Sequence, residues 1–273
     1  MSREGSGLGD LSQTALRTLA ARAAESARPQ GLFQDPAAEA AAAALVAELA
    51  TVPASRFPAT ADVVRTRIID DWVEETLAGD RGRGGGVLNL GAGLCTRYFR
   101  LGPISGVWYE IDLPEIVAVR RRLFPPAPDH VELARSVLEP GWIEQIPPAQ
   151  PLLLIAEGLL FYLEETAARE LVSRLAAHFP GATMIFDVLG PAHVGRHREI
   201  ETLDGLAAPF HWGLADTRSI ESWDPRLEWR RDESIFDRCA ERWGEGFAGL
   251  RSLRQSHGNR IVQVRFRSCR TTV

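Results

Sequence analysis

The sequence has 273 residues, of which 45% are hydrophobic and 25% charged, a composition typical of one large α/β domain or two small ones. Its net charge of -5 argues against the phosphate backbone of a nucleic acid as the main partner. Apart from the histidines, every basic residue is an arginine, which excludes Schiff-base chemistry on a lysine.

The amino-terminal part of the chain is predicted to be helical. Asp35 and Pro36 suit the N-cap and the first helical position, respectively. A glycine-rich segment over residues 79–86 ends the helical region. We expect an N-terminal helical cap over 1–80 and a cofactor-binding domain over 81–273. The three predicted helices run over Gln13–Ser26, from Pro36 to about Ala50, and from about Thr60 to Leu77.

Strands and helices alternate after the glycine-rich segment. Helices are predicted over Pro114–Leu123 and Glu164–Phe179. This order predicts an α/β fold with a mostly parallel sheet and helices on both faces. Five apolar runs read as its strands: Val87–Leu90, Val107–Ile111, Leu152–Ala156, Thr183–Val188 and Ile261–Phe266.

Between residues 191 and 229 the pattern weakens, and His, Trp and Arg residues become frequent. An insertion between late strands is where a substrate lid would lie. We therefore expect a lid at about 191–229. Ligands of such sheets bind beyond the carboxyl ends of the strands, so the loops after the first four predicted strands should face one cleft.

The most informative segment is the turn Gly91-Ala92-Gly93, which directly follows the first strand. A tight turn of bare backbone lets a ligand lie against the main chain. Asp112 ends the next strand, where an acid can hydrogen-bond the ribose hydroxyls of a nucleotide-like cofactor. Glu157 ends the third strand, and an acid after five apolar residues is costly unless it has a partner.

Seven pieces of the sequence are informative by their order and spacing: Arg22–Ser26, Asp35–Pro36, Arg67–Asp70, Asn89–Leu94, Trp108–Pro114, Glu157–Leu163 and Phe179–Gly181. In these pieces the chain resembles the leucine carboxyl methyltransferase family, in its bacterial branch of polyketide O-methyltransferases. This resemblance implies a Rossmann-like fold, S-adenosylmethionine (SAM) as cofactor, S-adenosylhomocysteine (SAH) as product, and methyl transfer to oxygen.

Matched residue by residue, the resemblance implies a set of cofactor contacts. Arg67 falls where the family binds the SAM carboxylate, with Arg22 near a second basic contact. Asp112 matches the ribose-binding acid, and Glu157 the acid beside the SAM amino group. SAM itself requires a fixed cation, a fixed anion and a ribose acceptor, and an arginine binds a carboxylate through two parallel hydrogen bonds. The remaining matches are Gly91, Ala92 and Gly93 under the methionine part and Ser136 and Val137 beside adenine.

Five residues are predicted to lie around the methyl acceptor. Phe161 and Tyr162 would shape its pocket, together with His193, His211 and Trp212. His211 is the candidate catalytic residue, positioning the acceptor. His193 and His197 have the spacing of a metal pair on a helix, but no third ligand is evident in the sequence, so no metal is predicted.

The chemistry of the acceptor follows from the scarcity of bases in the sequence. A carboxylate, with a pKa of about 4, is ionised at neutral pH, whereas a phenol, with a pKa of about 10, gains from a general base. We therefore predict methyl-ester formation on a secondary metabolite such as an aromatic polyketide. Methylation of a phenol or another hydroxyl, or of a peptide or protein carboxyl end, stays open.

Two alternatives come from other functional classes. An NAD-dependent dehydrogenase would also use a glycine turn and an acid, but Thr96 stands where the third glycine of the dinucleotide motif would be. A SAM-binding protein without turnover is the other alternative, because Cys95 stands where most family members carry Asp. Arg97 and Arg100 are interpreted as packing on the sheet edge or pairing with acids.

The remaining features favour a cytoplasmic protein without a membrane segment. The three cysteines, Cys95, Cys239 and Cys269, have the spacing of neither a zinc site nor a disulfide framework. The longest apolar run, over residues 40–50, is rich in alanine and too short to span a bilayer.

Overall fold

The computed structural model describes residues 10–50, 52, 59–79, 85–102, 104, 106–147, 152–194, 210–243 and 258–268. Its centre is a seven-stranded sheet in the order β3-β2-β1-β4-β5-β7-β6. The strands are β1 (Gly86–Leu90), β2 (Trp108–Asp112), β3 (His130–Ala134), β4 (Leu152–Ala156), β5 (Thr183–Val188), β6 (Leu227–Ser234) and β7 (Arg260–Phe266).

The first five strands of this order are parallel, as predicted. β7 runs antiparallel to β5, and β6 runs antiparallel to β7. β1 and β4 lie inside the sheet and are buried along their whole length, which explains the apolar sequence of β4. The one polar side chain of β1, Asn89, donates to Glu110 Oε1 at 3.2 Å. The reversal of β7 places its first residue, Arg260, opposite Val188 at the end of β5.

Seven α-helices surround the sheet in the described residues. α4 packs on one face, in one apolar cluster with Val87, Ile155 and Ile185, and α7 packs on the other face with Leu154 and Phe186. The helices are α1 (Asp10–Ser26), α2 (Pro36–Ala44), α3 (Val46–Leu49), α4 (Ala59–Gly79), α5 (Arg97–Leu101), α6 (Pro114–Leu123) and α7 (Glu165–His178).

The helices α1–α4 form one layer joined to the sheet. α1 packs on α2 and α4, and α4 reaches the sheet directly. Asp35 is the N-cap of α2, because its Oδ1 accepts the Ala38 N–H at 3.0 Å. The helix predicted from Pro36 to Ala50 is interrupted at Leu45 and continues as α3. The division of the chain at residue 80 stays a prediction.

Two strands were missed in the sequence, and both lie at sheet edges. β3 has mixed polarity and is half-buried throughout. β6 carries the charged sequence Leu-Glu-Trp-Arg-Arg-Asp-Glu-Ser and pairs with β7 alone among the described strands. Edge strands keep polar side chains in water, so a search for apolar runs passes over them.

The region predicted as a lid is described only in part, because residues 195–209, including His197, lie outside the described residues. From Phe210 onward the chain packs against the sheet. Ile220 and Leu227 are buried in one core cluster with strands β5 and β7. The described part of this region therefore packs on the sheet, and the lid stays a prediction. Among the described residues, the helices are all too short or too polar to cross a bilayer.

Candidate active site

A cavity of about 290 Å³ opens where β1, β2 and β4 end at their carboxyl termini. We call it the cofactor cavity. The turn after β1 forms its floor, with Gly91 and Gly93 at φ angles of 61° and 51°. These left-handed conformations favour glycine, and a Cβ on Gly91 would also lie 2.8 Å from Leu159 Cδ1. Gly91, Ala92 and Gly93 all line the cavity, and their contact with the cofactor stays a prediction.

Asp112 enters the cofactor cavity from the end of β2. Its Oδ2 accepts the Gly93 N–H at 2.6 Å and its Oδ1 accepts the Leu113 N–H at 2.7 Å. Burial raises the pKa of Asp112, and these two backbone hydrogen bonds partly oppose that effect. A hydrogen bond thus joins the turn after β1 to the acid at the end of β2.

Glu157 enters the cavity from the end of β4. Its Oε1 lies 3.0 Å from Arg65 Nε, and its Oε2 lies 2.8 Å from Arg97 Nη2. Burial alone would raise the pKa of Glu157, but the charges of Arg97 and Arg65 outweigh it and lower the pKa to about 2. Two arginines, Arg65 and Arg97, therefore supply the partner that a buried acid at this position requires.

Arg65, on α4, is the buried cation of the cavity wall. Its Nη1 lies 3.3 Å from Asp187 Oδ2, and its Nη2 lies 3.3 Å from Asp62 Oδ1. Burial disfavours the charged guanidinium, but the charges of Asp187, Glu157 and Asp62 raise the pKa of Arg65 above its usual value. Three carboxylates thus fix the orientation of this side chain.

The prediction for Arg67 is corrected by its position. Its Nη1 donates to Leu32 O at 2.9 Å, its Nη2 pairs with Asp71 Oδ1 at 2.7 Å, and its side chain is 41% exposed. It lies outside the residues that line the cofactor cavity. Two positions along an α-helix differ in direction by about 200°, so Arg67 points away from the face that carries Arg65. Arg65 could have been found from its place on the buried stripe with Asp62 and Ile69.

Arg22, on α1, is a second buried arginine in the cavity wall. Its Nη2 donates to Leu94 O at 2.6 Å, and its Nε lies 3.7 Å from Asp35 Oδ2. The Nε is buried without a hydrogen-bond partner among the described residues. Burial lowers the pKa of Arg22. A guanidinium of this kind is suited to an anionic ligand group.

A chain of ion pairs links Glu157 to Asp35. Arg97 Nε lies 2.6 Å from Asp70 Oδ1, and Arg100 Nε lies 2.7 Å from Asp70 Oδ2. Arg100 Nη1 in turn lies 2.6 Å from Asp35 Oδ2. Arg97 and Arg100 therefore pair with acids, in agreement with their interpretation from sequence. Cys95 lines the cavity and accepts from Arg97 Nη1 at 3.3 Å.

Ser136 and Val137 follow β3 and line the far end of the cofactor cavity beside Asp112 and Ile116. Ser136 Oγ accepts the Leu138 N–H at 3.2 Å, and Val137 is buried. This end of the cavity therefore combines apolar and polar side chains, and its contact with adenine stays a prediction.

A smaller cavity of about 40 Å³ adjoins the cofactor cavity, and we call it the side cavity. Arg17, Arg65 and Tyr162 line both cavities. The other lining residues of the side cavity are Ala61, Asp62, Phe161, Leu189, His193, Phe210 and Asn259. Phe161, Tyr162 and His193 thus lie together beside the cofactor cavity, and their role at the acceptor stays a prediction.

His211 and Trp212 lie elsewhere, which corrects their predicted place at the acceptor. His211 Nδ1 lies 2.7 Å from Glu164 Oε1, and Trp212 Nε1 donates to Leu160 O at 2.9 Å within the core. Neither residue lines the cofactor cavity or the side cavity. Sequence reasoning missed their neighbour Phe210, whose ring lies edge-on to Phe161 with centroids 5.3 Å apart.

A further cluster, Glu110, His130 and Glu132, brings together atoms that could ligate a metal ion. Arg120 occupies it instead, because its Nε lies 3.0 Å from Glu132 Oε1 and its Nη2 pairs with Glu110 Oε2. A guanidinium in contact with both acids supplies the charge that an ion would supply. This cluster is an ion-pair network on the β2–β3 side of the sheet.

The cofactor cavity meets the chemical requirements of SAM. Arg22 and Arg65 supply fixed cations, Glu157 a fixed anion and Asp112 a hydrogen-bond acceptor. Arg22 Nε, which makes no hydrogen bond among the described residues, lies 3.7 Å from Asp35 Oδ2, so the guanidinium is held at the cavity wall by that ion pair.

Comparison with known proteins identifies the family. Residues 15–176, more than half of the chain, match the family model described as leucine carboxyl methyltransferase. The protein belongs to the leucine carboxyl methyltransferase family. It is a SAM-dependent O-methyltransferase. Membership of this family decides against the dehydrogenase and against a binding protein without turnover.

Individual relatives agree with this assignment. The chain is 29% identical to the tetracenomycin polyketide synthesis O-methyltransferase TcmP of Streptomyces glaucescens, over 93% of this chain and 96% of that protein. It is 33% identical to a protein of Parafrankia sp. (strain EAN1pec) named as a SAM-dependent methyltransferase, over 76% and 74% of the two chains. The fold is similar to magnesium protoporphyrin IX methyltransferase (ChlM) from Synechocystis PCC 6803 with bound SAM. That similarity has a TM-score of 0.50 at 16% identity and covers 79% of this chain and 86% of that chain.

Proposed function

We propose that this enzyme transfers the SAM methyl group to a carboxylate of a small aromatic, polyketide-like molecule and forms a methyl ester. The observation that carries the proposal is the convergence of Arg65, Glu157 and Asp112 on one cavity, with an aromatic side cavity beside it. The name of the relative TcmP, a polyketide O-methyltransferase, supports this class of acceptor.

The cofactor residues have separate roles in this proposal. Arg22 and Arg65 bind the SAM carboxylate, and Glu157 binds its ammonium group. Asp112 accepts from the ribose hydroxyls, and the turn at Gly91, Ala92 and Gly93 lies under the methionine part. Ser136 and Val137 contact adenine. Because Glu157 has a pKa of about 2, it stays ionised throughout the working pH range of an enzyme.

SAM, when bound, supplies a methyl group attached to a positively charged sulfur. The chain has to hold the acceptor oxygen in line with that group and exclude water. Alignment of two reactants can supply about 7–11 kcal/mol of a barrier. Arg17, Arg65 and Tyr162 line the junction of the two cavities and define where the acceptor meets the cofactor.

The acids at this junction favour a carboxylate acceptor. Glu157, held at a pKa of about 2, is too weak a base to remove a proton from a phenol with a pKa of about 10. Asp62 is paired with both Arg65 and Arg17. A carboxylate acceptor is already ionised at neutral pH and requires no base.

A phenol acceptor is the second candidate, and His193 favours it. This histidine is buried and lines the side cavity, where it could take a proton from a hydroxyl. In that case an aryl methyl ether forms instead of an ester. The two candidates therefore differ in their product.

One acceptor that carries both groups separates the candidates. The full chain is incubated with SAM and 3-hydroxy-2-naphthoic acid, and the product is treated with mild alkali, which cleaves esters and leaves aryl ethers intact. The proposal predicts a methyl ester, and His193→Gln should form it at the same rate as the wild type. An ether whose formation is lost in His193→Gln would establish the phenol candidate and contradict the proposal.

A further inference from the structure

Asn259 reaches the active site because of the reversed direction of β7. The parallel strands end at the edge of the sheet that carries the cavities, whereas β7 begins there. Asn259 directly precedes β7, and its backbone oxygen accepts the Ile235 N–H at 3.1 Å. A residue far along the chain thus lines the side cavity on an anchored backbone.

The orientation of the Asn259 amide is set by Asp187. Both oxygens of this buried carboxylate accept hydrogen bonds, one from Gly158 N at 2.7 Å and one from Arg65 Nη1 at 3.3 Å. Asn259 Nδ2 lies 3.5 Å from Asp187 Oδ2. Since the carboxylate presents acceptors, the amide must turn its NH₂ group toward it. The carbonyl oxygen then faces away from Asp187.

That carbonyl oxygen is buried and has no hydrogen-bond partner among the described residues. Asn259 as a whole is 7% exposed. A buried acceptor without a donor costs about 1–3 kcal/mol, so each one calls for a physical explanation. The side cavity that Asn259 lines presents apolar side chains, among them Phe161, Leu189 and Phe210, beside the ion-paired Arg65 and Asp62.

We infer that Asn259 recognises the acceptor by accepting a hydrogen bond from a hydroxyl group carried on its aromatic ring. The substrate class is then a hydroxylated aromatic carboxylic acid, with its carboxylate toward the cofactor cavity and its hydroxyl toward Asn259. This inference rests on the proposed carboxylate methylation and names its substrate more closely.

The test compares hydroxynaphthoic acid isomers with the parent 2-naphthoic acid, using the full chain and SAM. We expect at least one isomer to exceed the parent in kcat/KM by about ten-fold, because a site built around a polar group discriminates against the analogue that lacks its partner. In Asn259→Leu, which keeps the volume and removes the amide, that advantage should fall below about two-fold. The dissociation constant of SAH should stay unchanged.

Gln263→Leu is the matched control, because Gln263 is a buried amide on β7 whose Oε1 already accepts from Arg231 Nε at 2.8 Å. This variant should keep the preference for the hydroxylated isomer. A wild-type enzyme without any such preference, or a preference that persists in Asn259→Leu, would overturn the inference and leave the proposed function intact. SAM turnover without methyl ester from any acid would instead overturn the proposed function, and the inference with it.

Discussion

The cofactor cavity and the side cavity are held together by different forces. Charged groups fix the first, in a chain of ion pairs that runs from Asp35 through Arg100, Asp70 and Arg97 to Glu157. Three aromatic rings pack together at the second, with centroids of Phe161, Tyr162 and Phe210 between 4.8 and 5.4 Å apart, although Arg65 and Asp62 also line it. Each charge of the ion-paired wall depends on its neighbours, whereas an aromatic ring can be replaced without leaving a buried charge unpaired.

This difference suits the two ligands that the proposed reaction requires. A zwitterionic cofactor is the same in every turnover, so charges fixed in advance reduce the cost of binding it. The proposed acceptor, by contrast, is largely aromatic. Aromatic walls suit such a molecule, and a polar group such as Asn259 can orient it.

The largest effect is expected from breaking the ion-paired wall at Arg65. In Arg65→Ala the buried acids Asp187, Asp62 and Glu157 lose a shared cation, and removal of one partner from a buried ion pair costs about 3–5 kcal/mol. We expect a loss of this size in the free energy of unfolding, measured by urea titration. SAH affinity, measured by calorimetry, should fall by more than about a hundred-fold.

Arg67→Ala is the matched control for this change, two residues along the same helix. Its half-exposed pair with Asp71 is of the kind that contributes about 0–1 kcal/mol, so stability should change little and SAH affinity not at all. Equal losses of SAH affinity in the two variants would contradict the assignment of cofactor binding to Arg65 and not to Arg67.

An intermediate effect is expected at Asp112, where the cavity wall depends on a single acid. Asp112→Asn should weaken SAH binding by about ten- to a hundred-fold, the range expected when a hydrogen bond to a charged group is lost. The raised pKa of Asp112 means that wild-type affinity should decline as the pH falls through that pKa, while Glu157, with a pKa of about 2, is still ionised.

The pH dependence also has a distinct sign for stability. A group whose pKa is raised in the folded state favours folding as it becomes protonated, so Asp112 should stabilise the fold on acidification while SAH binding weakens. Glu157 has a lowered pKa, so its contribution to stability is complete above its unfolded pKa and is lost as the pH falls toward about 2. Calorimetric titrations of wild type and Asp112→Asn with SAH between about pH 7 and pH 4 test the predicted loss of binding on acidification. If SAH affinity declined equally in the variant, the decline would belong to another group.

The smallest effect is expected at His211. Its imidazole pairs with the exposed Glu164 and lies outside both cavities, so His211→Ala should leave the kcat for any accepted acid within about two-fold. His193→Ala, inside the side cavity, should raise the KM for the acceptor more than His211→Ala does. A strong loss of kcat in His211→Ala would restore the role that the sequence had suggested.

The two cavities also differed in how far they could be predicted. Gly91 and Glu157 directly follow strands and Asp112 ends one. Because the carboxyl ends of parallel strands meet at one edge, the convergence of these residues follows from the sequence. For the cation, the sequence prediction named Arg67, two positions from the cavity-lining Arg65, because an arginine lies on each of two opposite faces of the helix. Asn259 and Phe210 gave no local signal, since their places depend on the direction of β7 and on packing between distant segments.

The central claim is that buried arginines and acids at the ends of β1, β2 and β4 hold the cofactor. A crystal structure of the full chain with SAH tests it most directly. The account predicts the SAH carboxylate at Arg22 and Arg65, its amino group at Glu157 and its ribose at Asp112, with the sulfur facing the side cavity. An SAH molecule bound without contact to Arg65, Glu157 and Asp112, or with its sulfur facing away from the side cavity, would contradict it.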